Sequence, residues 1–550
     1  MTRLSSLSSR ISRRALHLGL TGALSFSALG AVGCGGDDDL AEVADGLPRP
    51  MDDVYFDFGA AEPDAEVRAL IGFDARDRAA LERAIDRMYD PADPDFRGYY
   101  TVSDWMARHA PAEEDIASVS SWLEEQGLDV ARVAGSRLVL QVNGSVENFN
   151  KAFTTELRSF GRENHTGGDM IYTYGLVEGA ALRAPADKAK LMLSVVSADE
   201  PADPSPLTPE GGDIVTETPP DDAASHTIAE LAGAYGADAL HAAGHRGAGE
   251  KLGVFVGATF RFRDLQSFWT SMGVQRNAPE VIDHAELPAT RYLETTIDIQ
   301  WAGGLAPEAD LVVYQGPDAR NTSLVYAFTD MIARSDATVI TNSFARREDA
   351  EPHAVREQYN LAAMMAASLG ITVLVASGNS AETDTPSSSP YVTTVGGTVL
   401  TLNAAGERVS EVTWDRSGSG PSLSMPKPPW QEGTIPDDSS FRAMVDVSLT
   451  ASPEVPYIVY YQREWKKVGG TSLATPALAG MITCLNSARR AQGKPPVGHL
   501  APIIYRDPAV QAAFRDIIEG STPFHAARIG WDYPTGWGTP KMAELLEAIP

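Results

Sequence analysis

Gly469-Gly470-Thr471-Ser472-Leu473-Ala474-Thr475-Pro476, running on into Ala477-Leu478-Ala479-Gly480-Met481, decides how this chain is read. A serine between Gly-Gly-Thr and a run of small and apolar residues sits where a loop turns into a buried helix. That turn exposes the Ser472 hydroxyl, and the N–H groups of the first helical turn can face a developing oxyanion. Ser472 is therefore the candidate nucleophile, and the rest of the chain must supply the group that takes its proton.

Composition narrows the classes. The 550 residues exceed one ordinary domain, and 43% hydrophobic with 22% charged residues is the make-up of a globular protein with a sizeable core. The net charge of −29 offers no basic field for phosphates, which argues against nucleic acid as a partner. Cys34 and Cys484 are the two cysteines; one lies in the leader and the other on the apolar helix after Ser472, so core burial rather than a disulfide must hold the fold.

Residues 1–36 read as a targeting segment: Arg3, Arg10, Arg13 and Arg14 form a basic region and Leu16 to Val32 an apolar one. Ala31-Val32-Gly33-Cys34 resembles a bacterial lipobox with Cys34 as the lipidated residue, an ordinary secretory signal being the alternative. Ser12-Arg13-Arg14-Ala15-Leu16 looks like a twin-arginine export signal. The expectation is an exported protein, extracellular or in the cell envelope, that meets a membrane only through a lipid on Cys34.

Beyond the leader, residues 37–53 read as a flexible acidic tether and 54–200 as a compact αβ segment. Helical spacing covers Asp77 to Met88 and Ala112 to Gln126, where Ile116, Val119, Trp122 and Leu123 share a face; Leu138 to Val142 reads as a strand and Val146 to Ala152 as a helix. Residues 201–225, rich in Pro, Gly, Asp and Thr, read as an exposed, protease-sensitive linker. Residues 226–550 alternate strand and helix. The apolar runs Lys251 to Val256, Leu311 to Tyr314, Ala337 to Thr341, Thr372 to Ala376 and Tyr391 to Val395 fit a buried parallel sheet.

A serine nucleophile needs a base. Subtilisin-type enzymes carry an Asp on the first strand and a His-Gly-Thr-His motif on the following helix, and neither occurs here. The helix in that place reads Arg291-Tyr292-Leu293-Glu294-Thr295-Thr296-Ile297-Asp298-Ile299-Gln300-Trp301. Glu294 and Asp298, four apart, lie on one face about a turn from each other. Two adjacent carboxylates repel when both are ionised, so they share a proton and one pKa rises. Such a pair can take the Ser472 proton at a lower pH than histidine would choose. His241, His245 and His284 also precede Ser472 and leave a Ser-His-Asp arrangement as the chemically distinct alternative.

With the turn Gly304-Leu305-Ala306-Pro307-Glu308-Ala309-Asp310-Leu311 after that helix, the chain resembles the sedolisin family, the serine-carboxyl peptidases, with a kumamolisin-type activation pro-domain. In the leader the similar stretches are Arg97-Gly98-Tyr99-Tyr100-Thr101-Val102 and Trp122-Leu123-Glu124-Glu125-Gln126-Gly127-Leu128. Further on they are Pro390-Tyr391-Val392, Val395-Gly396-Gly397-Thr398, Trp414, Pro428-Pro429-Trp430-Gln431 and Asp446-Val447-Ser448. The resemblance implies a subtilisin-like α/β fold, a mostly parallel sheet flanked by helices, behind an α+β pro-domain. It also implies Ser472 as nucleophile, Glu294 as general base and Asp298 as the acid that orients Glu294 and shares its proton. The family reads Ser-Gly-Asp after the strand Thr372 to Ala376, its aspartate being the oxyanion donor; here the run is Ser377-Gly378-Asn379-Ser380. An aspartic acid donates only while protonated, whereas the Asn379 amide donates at any pH.

Phe514-Arg515-Asp516-Ile517-Ile518-Glu519-Gly520 and Gly530-Trp531-Asp532-Tyr533-Pro534-Thr535-Gly536-Trp537-Gly538 form a second constellation, two acids with carbonyls of a Gly-containing loop, which suits a hard cation. The resemblance implies one calcium ion held by Asp516 and Asp532 and by the carbonyls of Ile517, Arg528 and Gly530. It further implies a zymogen whose pro-domain is an intramolecular inhibitor. Self-cleavage in the 201–225 linker would release an endopeptidase for protein or peptide substrates that favours acidic pH. Removal of tripeptides is the variant within the family, and a non-catalytic lipoprotein on a peptidase fold is the reading from another class.

Overall fold

The computed structural model describes residues 40–47, 56–163, 170–199, 214–215, 225–283, 293–316, 320–435 and 438–550. The targeting segment with Cys34, most of the linker, and Arg291, Tyr292 and His284 lie outside them. In the leader, an antiparallel sheet orders its strands Asp129–Val133, Val139–Ser145, Glu66–Gly72 and Ser194–Asp199. Its alternation sorts the apolar residues. Val67, Ala69, Ile71, Leu140, Val142 and Val195 join the helices Glu113–Glu125 and Val146–Ala152 in a core of their own, where Ile116, Val119, Trp122 and Leu123 are buried as their spacing predicts. Leu70, Val139 and Val196 belong instead to the large core that continues into the second half of the chain.

The expectation of a flexible tether over 37–53 fails in part. Leu40–Val43 is a strand, antiparallel to Leu182–Pro185, because Val43 and Leu47 have apolar surface to bury and find it here. Within the predicted linker, Ile214–Val215 pairs antiparallel with Lys467 and Val468.

The second half is built on an eight-stranded sheet. Its strands are β1 (Lys251–Val256), β2 (Glu280–Asp283), β3 (Asp310–Gln315), β4 (Val339–Asn342), β5 (Thr372–Ala376), β6 (Thr393–Leu402), β7 (Arg408–Thr413) and β8 (Val447–Thr450). The order is β2-β3-β1-β4-β5-β6, parallel throughout; β7 runs antiparallel along the far end of β6, and β8 parallel along its near half. The five predicted strands are present within two residues at each end, except that Tyr391 and Val392 precede β6, which runs on to Leu402. Short, partly exposed β2 and the β7 antiparallel strand carried no apolar run to announce them.

Helix Leu293–Leu305 packs against Thr471–Ala491, and Asn321–Arg334 against His353–Ser368. The leader grips the second pair and the loop beyond it. Tyr100 N–H donates to the Ser368 carbonyl at 2.8 Å, Tyr89 Oη to the Ala367 carbonyl at 2.8 Å, and Arg97 to the Pro496 carbonyl at 2.9 Å. Arg78 bridges to Glu357 at 2.6 Å, and the His499 N–H donates to Tyr89 Oη.

The helices carrying Glu294 and Ser472 approach closely because Gly480 has no side chain. A Cβ there would lie 2.7 Å from the Ala302 carbonyl oxygen and 2.8 Å from Leu305 Cβ, both backbone or near-backbone atoms that cannot swing aside. Gly480→Ala should therefore cost about 1–3 kcal/mol as overpacking. Thermal unfolding will read this as a lowered midpoint, and peptidase activity will fall with it as the two helices separate.

Candidate active site

Helix Leu293–Leu305 is buried on every side from Glu294 onward, so its two acids are not the solvated pair that i, i+4 spacing usually produces. Glu294 is 4% exposed and Asp298 not at all. Ser472 is the second residue of helix Thr471–Ala491 and its hydroxyl hydrogen-bonds Glu294. Burial pushes Glu294 up to about 7, only partly opposed by that bond. Burial also raises Asp298 well above the usual carboxylate range, with the Glu294 charge adding to it. Glu294 Oε1 and Asp298 Oδ2 receive no hydrogen bond from any described group. A proton held between the two carboxyls satisfies both oxygens at once, and burial of two acids demands it.

Two further groups close the site, and both stand at the carboxyl ends of neighbouring strands, where open α/β sheets place their ligands. Ser343 follows β4; its hydroxyl donates to Asp298 Oδ1 at 2.7 Å and lies 3.4 Å from the Ser472 carbonyl oxygen. Asn379 stands three residues beyond β5, after Gly378 at φ 98°, where a Cβ would strike the Asp384 carboxylate. Its Oδ1 accepts from the Thr471 N–H at 2.9 Å and the Thr471 hydroxyl at 3.0 Å. A backbone N–H can only donate, so this contact fixes the amide's orientation and leaves Nδ2 as a donor. The Thr471 N–H is thereby taken, which corrects the expectation that the first helical turn as a whole faces an oxyanion. Among the described residues, the Ser472 N–H and Asn379 Nδ2 have no acceptor.

Ser343 was missed by sequence reasoning, since a serine after a buried strand carries no spacing signal. The histidine alternative does not assemble. His241 sits 2.9 Å from the Leu305 carbonyl, eleven residues along the helix from Glu294, about 16 Å at 1.5 Å per residue. Neither His241 nor His245 bonds to Ser472, and His284 is outside the described residues.

In the C-terminal loops, Asp532 is buried and pushed up to about 6, by burial first and with the Asp516 charge contributing. Its oxygens accept from the Arg528 N–H at 2.9 Å and from the Thr535 N–H and hydroxyl, both at 2.9 Å, while Asp516 accepts from the Gly530 N–H at 2.8 Å. Among the described residues no group of three or more His, Cys, Asp or Glu side chains is placed to hold a metal. Two close carboxylates are present, however, and the carbonyls of Ile517, Arg528 and Gly530 accept no described hydrogen bond. That donor set of acidic and carbonyl oxygens fits a hard cation.

Residues 56–175 match the Pro-kumamolisin activation domain, and residues 259–538 match the Subtilase family. The chain is 29% identical to kumamolisin from Bacillus sp. (strain MN-32), over 93% of this chain and 97% of that one. It is 24% identical to sedolisin from Pseudomonas sp. (strain 101), over 87% and 86%. The solved structure of Pseudomonas sedolisin, a serine-carboxyl proteinase complexed with two molecules of pseudo-iodotyrostatin, superposes with a TM-score of 0.53 at 25% identity, covering 60% of this chain and 98% of that one. The chain belongs to the subtilase family, in its sedolisin branch. It is a serine peptidase preceded by an activation pro-domain.

The buried acids make stability pH-dependent. Glu294 is raised from its ordinary 4.5 to about 7, so the stability its protonated form contributes is complete below about pH 4.5 and is lost as the pH rises through about 7. At about 1.4 kcal/mol per unit this amounts to on the order of 3 kcal/mol. Thermal midpoints of the Ser472→Ala chain with and without Glu294→Gln should therefore diverge between pH 4.5 and 7.5. The amide, which does not ionise, gives the flatter curve; parallel curves would refute the assignment.

Proposed function

We propose that this chain is an exported zymogen of an endopeptidase that cuts peptide bonds through an acyl-enzyme on Ser472. The observation that carries the reading is the hydrogen bond from Ser472 to Glu294 inside a buried carboxyl pair, with no described histidine beside it. Ser472 Oγ attacks the scissile carbonyl carbon while its proton passes to Glu294, and the carbonyl electron pair becomes the oxyanion. The Ser472 N–H and Asn379 Nδ2 face that charge. Collapse of the intermediate breaks the C–N bond, and the leaving amine takes the proton from Glu294. Water then repeats the sequence in reverse roles to free the acid. Asp298 holds the second site of the shared proton, so the pair keeps one proton before attack and two after it. The family resemblance carries the reading of an acidic optimum; the pair itself must keep one proton and one ionised oxygen for Glu294 to act as base.

Asn379 is the departure from the family pattern. An aspartate in its place would accept from Thr471 as Oδ1 does now, and its other oxygen would donate only while protonated. Peptide hydrolysis from pH 3 to 8 tests the whole reading. Ser472→Ala should abolish it, and Asn379→Asp should move the alkaline limb to lower pH, with a loss of about 10²–10³ at neutral pH where the donor is gone. Serine-independent hydrolysis, or no hydrolysis and no processing of the linker by the parent chain, would overturn it in favour of a non-catalytic role.

The pro-domain covers the peptidase until cleavage within residues 201–225. If Cys34 bears a lipid, chain order keeps the anchor on the pro-domain side of that cut and sets the peptidase free. One calcium ion is assigned to Asp516 and Asp532 with the carbonyls of Ile517, Arg528 and Gly530. When bound it ties the C-terminal loops together and plays no part in proton transfer. A chelator should lower the thermal midpoint of the parent chain and calcium restore it, since a ligand at a hundred times its Kd stabilises by about 2.7 kcal/mol. Asp532→Ala should lose that calcium response, and an unchanged midpoint in chelator would remove the ion from the reading.

A further inference from the structure

Ser343 is assigned no role by the resemblance or by the mechanism above, yet it makes a direct hydrogen bond to the carboxyl pair. The side chain of the preceding Asn342 accepts from the Phe344 N–H at 2.8 Å, which folds the chain back at the end of β4 and aims the Ser343 hydroxyl inward. There it donates to Asp298 Oδ1 at 2.7 Å. Among the described residues, Asp298 Oδ2 has no donor, and neither does Glu294 Oε1. The Ser472 hydroxyl meets the Glu294 carboxyl from the other side of the pair. The row of groups runs Ser472, Glu294, Asp298, Ser343, with one proton to be shared at its centre.

Each acid has one hydroxyl donor among the described residues, Ser472 at Glu294 and Ser343 at Asp298. Asp298 feels burial, the charge of Glu294 and the Ser343 hydroxyl, while Glu294 feels burial and Ser472. Helix Thr471–Ala491 presents Ser472 to the pair, and β4 presents Ser343. The hairpin Tyr457–Tyr461 with Glu464–Val468 meets helix Leu293–Leu305 beyond the pair, through Tyr457 on Trp301 and Tyr460 on Gln300. The strand β1 side contributes the Ala258 carbonyl, which accepts from Thr295. Among the described residues, no lysine, arginine or histidine acts on either acid. A hydroxyl donor favours the ionised form of the carboxyl it meets, so removing one shifts the titration of the coupled pair.

We propose that Ser343 is a positioning residue: by donating to Asp298 Oδ1 it fixes the Asp298 carboxyl beside Glu294 and tunes how tightly the pair holds its shared proton. This rests on the reading of Ser472, Glu294 and Asp298 as the catalytic groups. As Ser472 Oγ bonds to the carbonyl carbon, its proton moves to the ionised Glu294 carboxylate, Asp298 keeps its own proton, and the carbonyl electrons settle on the oxyanion. When the C–N bond breaks, the proton taken from Ser472 passes from Glu294 to the leaving amine. The Ser343 hydroxyl pulls Asp298 down against the burial and the Glu294 charge that raise it, so the pair gives up its proton at lower pH than it would alone.

The consequence is a pH profile. Without the hydroxyl, Asp298 is harder to ionise and the pair binds its protons more tightly. Ser343→Ala should move both limbs of the kcat/KM profile to higher pH by about 1 unit. The loss at pH 4 should be about tenfold in kcat with KM unchanged, and Ser343→Thr, which retains the hydroxyl, should restore the parent limbs. A fall in activity that is equal at every pH, or limbs that stay in place, would overturn the assignment. An infrared titration of the buried carboxyl band, on the Ser472→Ala proenzyme with and without Ser343→Ala, reads the same shift without turnover. An unshifted titration there also overturns it. Failure of the underlying reading looks different: Glu294→Gln would then retain full activity, whatever Ser343→Ala did to the limbs.

Discussion

Two carboxyl groups one turn apart on a helix with no solvent-exposed face set the terms for the rest of the molecule. Ionised together and dry, they would cost more than any interaction near them returns, so a proton must bind between them. That requirement reaches outward. The Ser472 helix must come within hydrogen-bonding reach of the pair, and Gly480 with the Ala302–Leu305 backbone makes the approach possible. The ends of β4 and β5 must then deliver a donor to Asp298 and a clamp on Thr471, which Ser343 and Asn379 do. Each of these groups comes from a different stretch of chain, and the parallel sheet is what brings their ends to one edge.

The leader holds the peptidase at a distance from this chemistry. Its described contacts include helix His353–Ser368 and the segment around Pro496 to His499, through Tyr89, Arg97, Tyr99 and Tyr100, helix Asn321–Arg334, through Gly135 and Arg132, and Arg506, through Asp86. One face of its sheet has a core of its own, while the other shares the large core of the peptidase. Such a division lets the pro-domain fold as a unit and still need the peptidase surface to bury its second face. The motif Arg97-Gly98-Tyr99-Tyr100, which carried the resemblance in the leader, is therefore a docking element. Trp122 and Leu123 in the other motif are interior residues, with Trp122 edge-on to Phe153 at 5.5 Å.

Asn379 shows how a change in one atom can alter a site without altering its shape. Its carbonyl oxygen makes the contacts to Thr471 that an aspartate oxygen could make equally well. Only the second atom of the side chain differs, an amide nitrogen in place of an oxygen that must first be protonated. The backbone turn at Gly378 and the packing of Asp384 beneath it serve either residue.

Much of this was legible along the chain. Apolar runs without alternation announced β1, β3, β4 and β5 as buried parallel strands, and helical spacing placed Ile116, Val119, Trp122 and Leu123 on the pro-domain core. The small-residue run after Gly469-Gly470 located the Ser472 helix. Local chemistry is enough for these, because propensity, periodicity and i, i+4 spacing act between near neighbours. The weakly apolar β2, the order of Leu40–Val43 within an acidic stretch, and the partnership of Ile214–Val215 with Lys467 and Val468 were not legible, since each depends on surface offered by distant chain. The same limit applies at the site. The sequence by itself determined that Glu294 and Asp298 share a helical face and that a serine opens a buried helix. Only the tertiary structure decided that this face is dry, that Ser472 and Ser343 bracket the pair, and that Thr471 orients Asn379. Burial and hydrogen-bond direction are properties of three-dimensional neighbours, and no spacing along one strand of sequence encodes them.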